Sequence, residues 1–135
     1  MKKKQLVITS IAIVIIIVLL TPLGMAEAKI NSVSSSPRIF NPAIGETIHI
    51  NVIGDDSMTG LLIHIFNYNS GVLIRSNLLL TEEAVGEYST NWDGKTDEDT
   101  LANPALYIIK VFDSINNKYF SLEIGYVTVG EAIPM

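Results

Sequence analysis

Cysteine is missing from all 135 residues, which excludes disulfides, thiol nucleophiles and cysteine-bound metal. Histidine occurs twice, too seldom to hold zinc without a third ligand type, and His49 and His64 are expected at the surface or rim. Basic residues are scarce. The chain carries nine Lys/Arg against fourteen Asp/Glu, and beyond residue 28 the balance is six against thirteen. An acidic surface with no Lys/Arg cluster outside the N-terminus repels phosphate backbones, so no nucleic-acid partner is expected. Nucleophile-elbow serines and paired carboxylates flanking a cleft are also lacking. The expectation is therefore a protein that is not an enzyme and takes no cofactor. There is no Asn-x-Ser/Thr sequon, and beyond Lys29 no stretch has the period of an amphipathic helix.

What is present begins with a targeting segment. Lys2, Lys3 and Lys4 precede an apolar run from Leu6 to Leu20, Pro22 and Gly24 break it, and Ala26-Glu27-Ala28 offers small residues to a signal peptidase. Residues 1–28 thus have the three parts of a secretory signal, with cleavage expected after Ala28. The competing expectation is an uncleaved anchor, because the uncharged stretch Gln5 to Ala26 is long enough to span a ~30 Å hydrocarbon core as a helix. Either way residues 29–135 lie outside the cytoplasm, secreted or held at the membrane, which the chain touches only if the segment stays. This length supports one domain, and about a hundred residues can build a core without disulfides.

From Lys29 the chain breaks into short segments rich in Ile, Val, Tyr and Phe, punctuated by Gly, Asn, Asp and Pro about every ten residues. The segments are Ile30–Ser36, Glu46–Ile53, Gly60–Tyr68, Val72–Leu80, Gly86–Trp92, Ala105–Asp113 and Lys118–Val129, with Thr81–Val85 a connection. Alternation of period two assigns faces: Ile48, Ile50 and Val52 inward; Leu61, Ile63 and Ile65 inward; Tyr88, Thr90 and Trp92 together; Tyr107, Ile109 and Val111 inward beside a wet Lys110. Asn69-Ser70-Gly71 is a hairpin turn, and Gly125 is a bulge or a close-packing point. The predicted fold is an all-β, seven-stranded antiparallel immunoglobulin-like β-sandwich following the N-terminal signal or anchor helix.

Trp92-Asp93-Gly94-Lys95 and the acidic loop after it form the organising stretch. An indole is large enough to bridge two facing sheets, Asp93 can accept backbone N–H groups of the turn, and Gly94 can take the φ the turn demands. Asp93, Asp97 and Asp99 make a calcium candidate, because hard cations want several carboxylate oxygens. The spacing is not that of an EF-hand, since the third, sixth and twelfth positions from Asp93 are Lys95, Glu98 and Pro104. A solvated acidic turn is the competing reading.

The series Ile65-Phe66-Asn67, Ser70-Gly71-Val72-Leu73-Ile74-Arg75, Gly86-Glu87-Tyr88, Trp92-Asp93-Gly94-Lys95 and Tyr107-Ile108-Ile109 resembles the FlgD-like immunoglobulin-fold module. That family is named after the flagellar hook-capping protein. The likeness runs from about Pro37 to Val129, with Trp92, Asp93, Gly94 and Tyr107 as its structural residues. It departs at Asp99 and Ala105, where the family places glycine, implying a loop with a different path. The resemblance implies a sandwich that mediates assembly or display.

Leu62, His64 and Phe66, with Ile108 and Phe112, fall on the outer side of strands expected to be neighbours, as a candidate interaction face. Coverage by neighbouring loops or the first strand is the alternative. Edge strands offer a second route to partners. The expected function is an exported, non-catalytic module making protein–protein contacts or assembling with a protein partner at the cell surface. The alternative is a small extracellular carbohydrate- or calcium-binding protein using loop 93–99.

Overall fold

The computed structural model describes residues 29–130. The segment 1–28, on which the signal and anchor expectations fall, and residues 131–135 lie outside the described residues. Nine strands are present among the described residues: β1 (Ile30–Ser36), β2 (Ile39–Phe40), β3 (Ile48–Gly54), β4 (Leu61–Asn67), β5 (Leu73–Leu79), β6 (Thr81–Ala84), β7 (Glu87–Trp92), β8 (Ala105–Asp113) and β9 (Lys118–Val129). The all-β expectation holds. The expected count of seven does not, because β2 and β6 add to it.

Both additions are strands that side-chain pattern cannot reveal. Thr81–Ala84 is exposed throughout and has no apolar face. It is extended because its backbone pairs with β7, Thr81 opposite Ser89 and Glu82 opposite Tyr88. Ile39–Phe40 spans only two residues and pairs with the end of β9. That pairing is parallel, so the fold is not wholly antiparallel.

The strands form a four-stranded sheet in the order β1-β3-β7-β6 and a five-stranded sheet in the order β2-β9-β8-β4-β5. Alternating Ile and Val place one face of each sheet inward, and the two inner faces close over one core. Ile48, Ile50 and Val52 from the first sheet and Ile63, Ile65, Ile109 and Val111 from the second are fully buried. Each such aliphatic side chain contributes about 1.5–3 kcal/mol on burial. Trp92 joins the layers: it lies on β7, and its ring meets Phe40 of β2 at 5.5 Å and Tyr107 of β8 at 5.8 Å, both edge to face. Thr90, grouped with Tyr88 and Trp92 by alternation, is only half-buried.

Short polar side chains form the turns. Asn67 Oδ1 accepts from the N–H groups of Asn69 and Ser70, and Gly71 completes the return to β5 at φ 69°. Asp113 Oδ1 does the same for Ile115 and Asn116 between β8 and β9. Gly125 pairs with Ile109 within a regular stretch and is a close-packing point, since a Cβ there would stand 3.0 Å from Val33 Cγ1.

Candidate functional site

The acidic loop is built around the tryptophan. Trp92 Nε1 donates to the Lys95 carbonyl at 2.9 Å, and Lys95 N–H donates to Asp93 Oδ1 at 3.0 Å. Gly94 turns the chain at φ 78°, with its backbone against Phe40 and Pro42. Ala102 N–H then returns to the Gly94 carbonyl at 2.8 Å. Tyr107 closes the far side, its hydroxyl donating to the Asn103 carbonyl at 2.6 Å. Burial pushes that hydroxyl above its ordinary value, with Asn67 acting in the opposite direction.

The three carboxylates of the calcium candidate do not converge. Asp93 holds the turn, Asp99 pairs with Lys95 at 3.6 Å, and Asp97 points at β5. No group of three or more His, Asp or Glu among the described residues could hold a metal ion. Asp97 accepts from both the N–H and the hydroxyl of Ser76, while its own N–H donates to the Ile74 carbonyl. Burial opposes ionisation of Asp97, but the Ser76 hydrogen bonds outweigh it, aided by Arg75 and His64, and hold the carboxyl below its ordinary value. The loop therefore covers part of the free edge of β5. Asp99 takes φ 62°, a left-handed conformation that glycine adopts more readily.

The outer face of the five-stranded sheet holds the more distinctive chemistry. Directly paired residues share a face, and Leu62 pairs with Phe112 and Leu79, Phe66 with Ile108 and Leu73, Ile108 with Tyr126, and Phe112 with Tyr119. All five residues of the predicted interaction face are brought together. Leu62, Phe66, Ile108 and Phe112 are half-buried against one another, with no strand of the other sheet laid over them. Leu79, Leu73, Tyr119 and Tyr126 are exposed on the same face and were not foreseen. Their signal, alternation in β5 and β9, becomes legible only once the pairing register is known.

His64 corrects its expectation. It is 6% exposed, not at the surface or rim. Its ring stacks on Phe112 at 4.6 Å and is met edge-on by Tyr119 at 5.4 Å. Nδ1 lies 2.8 Å from the Tyr119 hydroxyl and Nε2 lies 3.2 Å from Asn77 Oδ1. Because an amide oxygen only accepts, Nε2 carries the proton in the neutral ring and Nδ1 accepts from Tyr119. Burial raises the Tyr119 hydroxyl above its ordinary value, which keeps it a donor. Asn77 reaches His64 from an irregularity in β5, where the register shifts and Asn77 takes φ 58°. Beside this cluster, Lys110 Nζ sits 5.1 Å from the Phe66 ring centre and 5.6 Å from that of Tyr119, as a cation over two aromatic faces. His49 is exposed as expected and contacts Asn91 at 2.9 Å.

With this geometry in view, comparison with known proteins bears on the fold alone. No family model matches the chain, and no curated protein matches it. Among solved structures, the Pseudomonas fluorescens alkylpurine DNA glycosylase AlkC, bound to DNA containing an abasic site analog, is similar over 78% of this chain. The identity is 15% and the TM-score 0.50. The matched part is 31% of the glycosylase chain, so this chain spans about a third of its length. The finding overturns two expectations, that the chain is not an enzyme and that it has no nucleic-acid partner. Both rested on motif absence and net charge, and a fold of this kind occurs within a DNA-bound enzyme. Net charge describes the whole surface and says nothing of the patch a partner touches.

Proposed function

We propose that the chain is an exported immunoglobulin-like module of the FlgD-like kind, released or anchored by its N-terminal segment, that makes protein–protein contacts through the outer face of its five-stranded sheet. The observation that carries this is that face. Phe66, Phe112, Tyr119 and Tyr126 lie together with Leu73 and Leu79, and Lys110 stands among them. Tyr and Phe gathered on one face are residue types enriched in interface cores, where a few large anchors carry most of the binding energy.

Strand order supports the immunoglobulin reading. A four-stranded sheet β1-β3-β7-β6 facing β9-β8-β4 follows the A-B-E-D and G-F-C arrangement, with β5 and β2 as added edges. The Tyr107 hydroxyl bonding back to Asn103 at the start of β8 has the form of a tyrosine corner.

Photo-crosslinking in the producing cells tests the proposal. A benzophenone residue replacing Tyr126 or Leu79 should give a discrete protein adduct, and one replacing exposed Glu46 should give none. Adducts at Glu46 equal to those on the face would overturn it. Duplex DNA belongs in the same series as a binding probe, because of the glycosylase likeness. Saturable DNA binding that a Tyr126 substitution weakens would replace the protein partner with nucleic acid.

A further inference from the structure

The strands place four connections at one end of the molecule, and the N-terminal segment joins there. Ile30 pairs with Gly54, Ile53 with Glu87, and Leu61 with Asp113. That end therefore carries loop 55–60, the Val85-Gly86 turn, the 114–117 turn and the β5–β6 corner. The Lys29 carbonyl is tied to it by the Asp55 N–H at 3.0 Å.

Between the uncharged stretch Gln5 to Ala26 and the first paired residue, Ile30, stand only Glu27, Ala28 and Lys29. Three residues reach at most about 10–11 Å. If the stretch stays in a bilayer, this end cannot leave the headgroup region. It has the surface for that position. Val85 and Ile115 are exposed at the tips of two turns, and Leu79 is exposed at the β5 corner. Beside them opens a hollow of about 380 Å³ walled by Met58, Leu61, Leu79, Leu80 and Tyr88. Asp55 and Asp56 belong to the 55–60 loop, Glu82 lines the hollow and Glu87 follows the Val85-Gly86 turn, with Lys29 and Lys118 also at this end. Such a rim is repelled by anionic headgroups and tolerated by zwitterionic ones.

We infer that this end rests on a zwitterionic lipid surface, with Val85 and Ile115 entering the interface and the short connection holding them there. The tether makes weak apolar contacts sufficient, because a short linker keeps the tips at an effective concentration of about millimolar or more. The inference depends on the anchored alternative for residues 1–28; it shares Leu79 with the interaction face, and its test reads only Val85 and Ile115, which lie outside that face.

The absence of cysteine makes the test clean. Full-length chains carrying Val85→Cys, Ile115→Cys or Asn69→Cys, the last in the hairpin at the opposite end, are labelled with a polarity-sensitive fluorophore. They are then reconstituted into phosphatidylcholine vesicles, with Trp92 emission confirming folding. Labels at 85 and 115 should shift to the blue and be quenched several-fold more by doxyl-lipids than the label at 69. Equal quenching at all three sites overturns the inference, and so does failure of the full chain to float with the vesicles. With phosphatidylserine vesicles the quenching at 85 and 115 should fall; an increase would overturn the zwitterionic choice.

Discussion

Replacing Gly94 with alanine should be one of the most damaging small changes in the molecule. At φ 78° an alanine costs about 1–2 kcal/mol from its own backbone contacts. Its Cβ would also overlap Pro42 Cβ and Cγ and stand 3.2 Å from Phe40 Cε2. Pro42 is buried and opens a short 3-10 turn, so it has little freedom to retreat. Forcing a methyl group into such packing costs about 1–3 kcal/mol more. The total of about 2–5 kcal/mol is a large share of the roughly 5–15 kcal/mol that holds a domain of this size. Gly71→Ala is the control: its φ is 69°, but nothing lies within 4 Å of the added Cβ, so only the backbone cost of about 1–2 kcal/mol applies. Urea unfolding followed by Trp92 emission measures both, since the single indole is fully buried and reports only global exposure. If the two variants lose equal stability, the packing of Gly94 against Pro42 is not what constrains the turn, and the reasoning fails.

His64→Ala should cost about 1–3 kcal/mol, because it removes the Phe112 stack and leaves the Tyr119 hydroxyl without its acceptor, while exposed His49→Ala should change stability by less than about 0.5 kcal/mol. Equal effects in urea unfolding would refute the buried assignment. At Asp113, burial opposes ionisation, but hydrogen bonds from Asn116 and Ile115 and the nearby Lys118 hold the carboxyl below its ordinary 3.8. The native state thus favours the ionised form. Its contribution is complete above pH 3.8 and lost as pH falls through the lowered folded value. The urea midpoint of Asp113→Asn should accordingly be lower at neutral pH and flatter below about pH 4 than that of the parent. Millimolar calcium should leave the thermal midpoint unmoved, because Asp93, Asp97 and Asp99 are each engaged separately; a rise that Asp97→Asn abolishes would show that the loop can gather them.

Local pattern determined much of this protein. The bounds of Ile30–Ser36, Ala105–Asp113 and Lys118–Val129 were legible residue for residue, and so were the inward sets Ile48-Ile50-Val52 and Ile63-Ile65. A strand with one buried face must alternate, and alternation is written in consecutive residues. The turn after Trp92 was legible for the same reason, since Asp93 and Gly94 act on neighbours within two residues.

Tertiary structure alone decided the rest. Thr81–Ala84 is a strand because β7 offers hydrogen bonds, which no side chain in it announces. Alternation set His64 opposite Ile63 and Ile65, correctly outward from the core, yet exposure depends on what neighbouring strands supply. Phe112, Tyr119 and Asn77 arrive from β8, β9 and an irregular β5, at separations of 48, 55 and 13 residues, and bury it. Facing is a local property of the backbone, whereas burial and pairing belong to residues far apart in the chain.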